Sequence, residues 1–174
     1  MTALVRPVAV LFDRDDTLIE NIPYNGDPAR VRPRPTARQA VALLRSAGVR
    51  IGCVTNQRAV GLGLISIADV RRVHARVDQL VGPLDVWAIC PHLPADHCGC
   101  RKPAPGLILE VAARLHVNPR HCVVIGDIGS DMAAAAAAGA QAVLVPTPLT
   151  RAEEIRDAPR VAPDLLAAVK WSLA

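Results

Sequence analysis

Aromatic side chains are almost missing. Two Trp, one Tyr and one Phe make up 2% of 174 residues. These four cannot form a stacking platform for single-stranded nucleic acid, and the core has to be built from Ala, Val and Leu. Long apolar runs are missing too. Met132 to Val145 is the most apolar stretch, yet Gly139 and Gln141 interrupt it, and it falls short of the roughly 20 residues that span a bilayer. No block of like charge marks a polynucleotide track, since 20 Lys and Arg stand against 16 Asp and Glu for a formal +4. That mild excess suits small anionic ligands, phosphorylated ones included, and is equally the solvated surface of an ordinary domain. No leader is visible, because Arg6 and Pro7 interrupt the first residues and Val8 to Phe12 is too short for an apolar leader core. A cytoplasmic monomer with reduced thiols is expected, without nucleic-acid or membrane partners.

What is present suffices for a folded chain: 51% of residues are hydrophobic and 21% charged, too apolar for disorder. A chain of this length buries roughly 70% of its unfolded surface. One domain over residues 1–174 is therefore expected. Short apolar runs alternate with helical patterns. Strands are expected at Val8–Phe12, Arg50–Val54, Asp85–Cys90, Cys122–Ile125 and Ala142–Val145. Helices are expected at Thr36–Ala47, Ser66 to about Val81, Gly106–His116 and Asp131–Ala138, with one or two more after Ala152. Gly48 and Gly139 stand where helix ends favour a left-handed residue, and Ser66-Ile-Ala-Asp69 resembles a capping box. Alternating elements with fully apolar strands predict a three-layer, Rossmann-like α/β fold, its parallel sheet covered by helices on both faces. Two irregular stretches, Glu20–Pro35 and Pro91–Pro105, are long for a compact domain, so each is expected to be functional or held in place by something.

In open α/β sheets the ligand crevice lies beyond the carboxyl ends of the strands. Asp13, Asp15, Thr55, Asn56, Cys90, His92 and Asp127 all fall there. Asp13 and Asp15 are two apart and project to one side of an extended chain. Two such carboxylates repel unless a proton is shared or a cation intervenes. A hard divalent ion resolves the conflict, and Asp127 offers a third oxygen. A surface acidic turn remains the plain alternative for Asp13 and Asp15, turn duty for Thr55 and Asn56, and a surface position for Lys102; Asp131 reads as an N-cap or as a residue that orients Asp127 or Lys102.

Three of the five cysteines and a histidine cluster in Cys90-Pro-His92 and Cys98-Gly-Cys100. In a reducing compartment this spacing reads as a tetrahedral Cys3His zinc site. The alternative is small apolar filling, the role expected of Cys53 and Cys122. His97 rivals His92 as the imidazole.

The motifs Asp13-Arg-Asp-Asp-Thr17, Val54-Thr-Asn-Gln57, Arg101-Lys-Pro103 and Gly126-Asp-x-x-x-Asp131 occur in that order. Together they resemble the haloacid dehalogenase superfamily of phosphohydrolases, and most closely its compact zinc-containing heptose bisphosphate phosphatases and the related histidinol-phosphate phosphatases. The resemblance runs from about Val8 to Leu165 and implies that fold, without a large cap domain and with a zinc-bound loop. It implies Asp13 as the nucleophile that forms an aspartyl-phosphate and Asp15 as general acid, then base. It implies Mg²⁺ held by Asp13, the Asp15 backbone carbonyl and Asp127. Thr55 and Lys102 would stabilise the transferring phosphoryl group, and Asn21, Tyr24, Asn56, Gln57, Arg58 and Arg101 would line the substrate. The family pattern selects His92 over His97, giving a structural Zn²⁺ on Cys90, His92, Cys98 and Cys100. Tyr24 and Asn25 would read sugar hydroxyls, and Asn25-Gly26 reads equally as a turn.

The implied reaction is 7-phosphate removal from D-glycero-D-manno-heptose 1,7-bisphosphate, with histidinol phosphate as the rival substrate. A polynucleotide 3′-phosphatase reading lacks aromatics and a basic stripe. Two departures from the family pattern stand out. Asp16 occupies a usual glycine, which suggests a non-hydrolytic binding protein as the alternative class. Leu62 occupies a usual arginine, while Arg58 is new.

Overall fold

The computed structural model describes residues 7–174. The sequence reading of the first residues for a leader falls largely on 1–6, outside the described residues. Five strands form one sheet: β1 (Ala9–Phe12), β2 (Arg50–Asn56), β3 (Val86–Cys90), β4 (Cys122–Gly126) and β5 (Gln141–Leu144). All neighbours are parallel, in the order β3-β2-β1-β4-β5. The helices are α1 (Ala37–Ser46), α2 (Arg58–Gly61), α3 (Ile67–Val81), α4 (Gly106–Arg114), α5 (Gly129–Ala138), α6 (Ala152–Asp157) and α7 (Leu165–Leu173).

Alternation along the strands divides the core in two, as a sheet covered on both faces requires. Val10, Phe12, Ile51, Cys53, Val123, Ile125 and Val143 face α1, α3 and α7. Ala9, Leu11, Val54, Ala88, Val124 and Leu144 face α4 and α5. Each fully buried Leu, Val or Phe contributes roughly 1.5–3 kcal/mol, so aliphatic residues carry this core with little aromatic help. Cys53 and Cys122 are buried within it, as expected.

The helix signals hold. Ser66 and Asp69 form a reciprocal capping box at the start of α3. Gly48 and Gly139 follow α1 and α5 with φ of 70° and 76°. The four-residue α2 was absent from the sequence reading. It is too short for its periodicity to register.

From β1 the chain moves outward to β2 and β3, then crosses back to β4 on the opposite side. Loops after β1 and β4 therefore diverge, opening a crevice at the topological switch point. Asp13 follows β1 and Asp127 follows β4, so register alone sets these carboxylates side by side. Among the described residues no inserted domain covers the strand ends, and no helix is long and apolar enough to cross a membrane.

Candidate active site

Lys102 lies at the centre of the crevice. Its ammonium donates to Asp13 Oδ1 at 2.7 Å, Asp131 Oδ1 at 2.7 Å and the Val54 carbonyl at 2.9 Å. An ammonium has three donors, and all three are used by a side chain that is 3% exposed. Burial alone would favour the neutral amine, but Asp13 and Asp131 overcome it and hold Lys102 charged, well above its ordinary pKa.

Asp13, Asp127 and Asp131 each present a carboxylate oxygen within 4.8 Å of the others. Three acids thus cluster, and two of them, Asp13 and Asp131, bind the buried ammonium. Burial first, then Lys102 in opposition and Asp131 in support, leaves Asp13 raised to about 6. Burial, together with Asp13 and Asp131, raises Asp127 to about 9. This cluster of carboxylates demands a shared proton or a cation, and a hard oxygen-ligated ion such as Mg²⁺ fits it. The Thr17 hydroxyl donates to Asp127 Oδ1 at 3.2 Å, and the Thr150 hydroxyl donates to the Asp127 carbonyl at 2.7 Å. Neither threonine was given a role from the sequence: Thr17 closes the first acidic motif but is not itself acidic, and Thr150 lies outside every motif.

Of the two roles expected of Asp131, contact with Lys102 and Asp127 is realised and the N-cap is not. Ile128 holds that position and Asp131 stands three residues into α5. Its Oδ2 reaches back to the amides of Asp127 at 3.2 Å and Ile128 at 3.3 Å, while Oδ1 binds Lys102. The carboxylate packs directly on Gly126, where a Cβ would lie 2.3 Å from Asp131 Oδ2.

Asp15 is held differently. Arg14 grips it with Nε to Oδ1 and Nη2 to Oδ2, both at 3.1 Å. Gln57 Nε2 donates to Asp15 Oδ2 at 2.9 Å and to Thr55 Oγ1 at 2.8 Å. Thr55, expected to touch the phosphoryl group, is 1% exposed and does not line the crevice. Gln57 covers it. Asn56, expected to contact substrate, lines the crevice but spends its amide on the Lys102 backbone, donating to the carbonyl and accepting from the N–H at 3.1 Å each.

The crevice encloses about 620 Å³, with Asn21, Tyr24, Arg58 and Arg101 on its wall. Arg58 donates to the Tyr24 hydroxyl at 2.7 Å and stands 5.6 Å from the ring centroid, so the two side chains form one cationic wall. Asn25 is buried and accepts from the Asp27 amide at 2.9 Å. Its bonds to Asp27 are those of the expected turn, and Asn25 also borders the crevice. Arg101 leans on the zinc-motif loop through the His92 carbonyl, at 3.2 Å.

In that loop Cys90, His92, Cys98 and Cys100 converge. Cys90 Sγ lies 3.6 Å from Cys98 Sγ, 3.2 Å from Cys100 Sγ and 3.5 Å from His92 Nδ1. Cys100 Sγ is 3.5 Å from Cys98 Sγ and 3.2 Å from His92 Nδ1. A tetrahedron with Zn–S bonds of about 2.3 Å has S···S edges of about 3.8 Å, so the four donors fit a tetrahedral ion. His97 is not among them. Burial works against ionisation of Cys98, but the Arg101 amide and the Cys100 and Cys90 thiols more than offset it and hold Cys98 at about 6. Burial and the neighbouring sulfurs push Cys100 up to about 12. One thiolate is thus favoured before any metal arrives.

With this geometry in place, comparison with known proteins is decisive. D-glycero-beta-D-manno-heptose-1,7-bisphosphate 7-phosphatase of Pseudomonas aeruginosa is 35% identical over 143 residues, covering 79% of this chain and 80% of that protein. The chain belongs to the heptose bisphosphate phosphatase family of haloacid dehalogenase-like hydrolases. The Rhodopseudomonas palustris enzyme of the same name is 39% identical over 145 residues, 77% of this chain and 80% of its own. A HAD-hydrolase-like family model matches residues 99–169. The crystal structure of the Bordetella bronchiseptica D,D-heptose 1,7-bisphosphate phosphatase, complexed with magnesium and phosphate, superposes with a TM-score of 0.82 at 28% identity, covering 94% of this chain and 97% of that one.

Within this phosphatase family the two departures now have structural readings. Asp16 does occupy a left-handed position, with φ of 60°. Aspartate tolerates that region better than most residues, and Asp13 and Asp15 keep their partners beside it. Its carboxylate turns to the Asn21 amide at 3.4 Å. Leu62 is 47% exposed and off the crevice wall, whereas Arg58, at the first position of α2, lies on it.

Proposed function

We propose that the chain is a Mg²⁺-dependent phosphomonoesterase that removes the 7-phosphate from D-glycero-D-manno-heptose 1,7-bisphosphate. One observation carries the reading: Asp13, a carboxylate at the end of β1, faces a fully committed ammonium at 2.7 Å and a second carboxylate at the mouth of an open, basic-walled crevice. The named activity of relatives 35% and 39% identical supports the substrate.

In this reading an Asp13 oxygen attacks phosphorus and the bond to the leaving oxygen breaks, giving an aspartyl-phosphate. Asp15 gives the leaving alkoxide its proton and later takes one from the attacking water. Lys102 neutralises charge on the phosphoryl oxygens, with Asp131 and Asn56 fixing its position. Thr55 takes part only if the Gln57 amide swings aside, and Gln57 itself then faces substrate. Asn21, Tyr24, Arg58 and Arg101 line the sugar and the second phosphate. The carboxylates of Asp13 and Asp127 and the Asp15 carbonyl would hold Mg²⁺. When bound, that ion lets an anionic nucleophile approach an anionic ester. Zn²⁺ on Cys90, His92, Cys98 and Cys100 would be structural, because four protein ligands leave no open position. We assign all of this to one cytoplasmic, monomeric domain, residues 1–174.

Phosphate release from heptose 1,7-bisphosphate and from histidinol phosphate, measured in parallel, tests the assignment. Faster magnesium-dependent release from the heptose ester, abolished in Asp13→Asn, is expected. Preference for histidinol phosphate would overturn the substrate, and no release from either would overturn the enzyme.

A further inference from the structure

The acid–base carboxyl has a support in the arginine between the two aspartates of the first motif. Arg14 is a guanidinium with a side chain only 4% exposed. It grips both oxygens of Asp15 and, on its other side, approaches His74 Nε2 with Nη1 at 3.3 Å. His74 projects from α3, is 4% exposed, and stacks on Trp87 of β3 with ring centroids 3.8 Å apart and planes inclined at 17°. Trp87 is tied back to α3 through its indole N–H to Asp78 Oδ1, at 3.2 Å. Burial, with Arg14 adding to it, pushes the His74 pKa down to about 3. A neutral ring with a free Nε2 lone pair can accept from Arg14.

We propose that Arg14 is a positioning residue for Asp15, and that His74, braced on Trp87, positions Arg14. The inference rests on the phosphatase reading above. A planar fork fixes the carboxyl plane where a single donor would leave it free to rotate. Among the described contacts Oδ1 has one donor, Arg14 Nε, so a lone pair stays open for the travelling proton. A buried arginine with no acceptor behind it would tilt, and His74 supplies that acceptor.

The leaving group discriminates this role from general support of the fold. An alkoxide must receive a proton as the P–O bond breaks, whereas p-nitrophenolate departs without one. kcat/KM reports only the steps up to that cleavage, so later hydrolysis of the aspartyl-phosphate does not blur the comparison. The test is kcat/KM of the full chain, with magnesium, on heptose 1,7-bisphosphate and on p-nitrophenyl phosphate. Arg14→Met is expected to lower the heptose value about 100-fold and the p-nitrophenyl value less than about threefold. His74→Phe keeps the stack and loses the acceptor, and is expected to lower only the heptose value, by about tenfold, while His74→Gln restores an acceptor and most of the rate. Equal losses on both esters, or none, in His74→Phe with an unchanged melting midpoint would overturn the proposal and leave the phosphatase reading standing. A wild-type chain that hydrolyses neither ester would overturn both.

Discussion

Asp131 binds Lys102 at 2.7 Å, and the two are 29 residues apart in sequence. This ion pair joins the start of α5 to the end of the cysteine loop, and it decides how the ammonium faces Asp13. Lys102→Met would leave Asp13 and Asp131 buried without their cation. Breaking a buried pair in this way costs roughly 3–5 kcal/mol. Turnover is expected to fall about 100- to 1,000-fold. Asp131→Asn keeps an oxygen on Lys102 and is expected to retain more activity than Asp131→Ala. Chemical denaturation with steady-state kinetics on the same samples checks both effects.

Magnesium should matter more as pH rises. Asp13 and Asp127 are raised to about 6 and about 9 in the folded chain, against an ordinary aspartate near 3.9 in the unfolded one. The metal-free folded state therefore binds more protons than the unfolded state. This contribution to stability is complete below about pH 4 and is lost as pH climbs through those two values. Metal displaces the same protons. The melting midpoint is thus expected to rise more with magnesium at pH 8.5 than at pH 6, with protons released on binding. A magnesium shift independent of pH would contradict the carboxylate assignment.

Zinc loss should reach the phosphate chemistry. The Gly106 amide bonds the Gly99 carbonyl at 3.0 Å, and Asn56 bonds the Lys102 backbone twice. The metal loop and the lysine are thus one mechanical unit. Cys100→Ser is expected to abolish stoichiometric zinc in elemental analysis, lower the melting midpoint and reduce turnover about 10- to 100-fold. Unchanged turnover in zinc-free protein would separate the loop from the reaction.

Asp16 should be a tolerated irregularity rather than an inactivating one. Asp16→Gly removes the penalty of a left-handed non-glycine residue, about 1 kcal/mol, and loses only the long bond to Asn21. A slightly higher melting midpoint and a few-fold lower KM for anionic esters are expected, since one negative charge leaves the crevice wall. A large gain in kcat would mean instead that Asp16 restrains catalysis.

Much of this arrangement was legible from residue order. Four strands of four to seven residues each end in, or are followed directly by, a polar or ligating side chain, and parallel topology sends all those ends to one edge. The cysteine spacing was equally direct, because its ligands lie within one loop. Contacts that cross the sheet were not legible. The motif Gly126-Asp-x-x-x-Asp131 left the second carboxylate open between an N-cap and a support for Asp127 or Lys102, and only the fold shows that it binds the lysine 29 residues upstream. Nothing in Asp13-Arg-Asp15 says that the arginine turns inward toward a histidine 60 residues away. Thr55 and Gln57 were identified by type, but which of them faces the crevice depends on rotamers that sequence spacing does not encode.

Gly126 carries a consequence for how damage to this protein would be recognised. It has no side chain to lose and takes no part in proton or phosphate transfer, yet its bare α-carbon is the floor on which the Asp131 carboxylate rests. Gly126→Ala would evict that carboxylate and unseat the ammonium while every reactive atom remained in the chain. A variant survey that scores only acids, bases and metal ligands would pass such an allele as harmless.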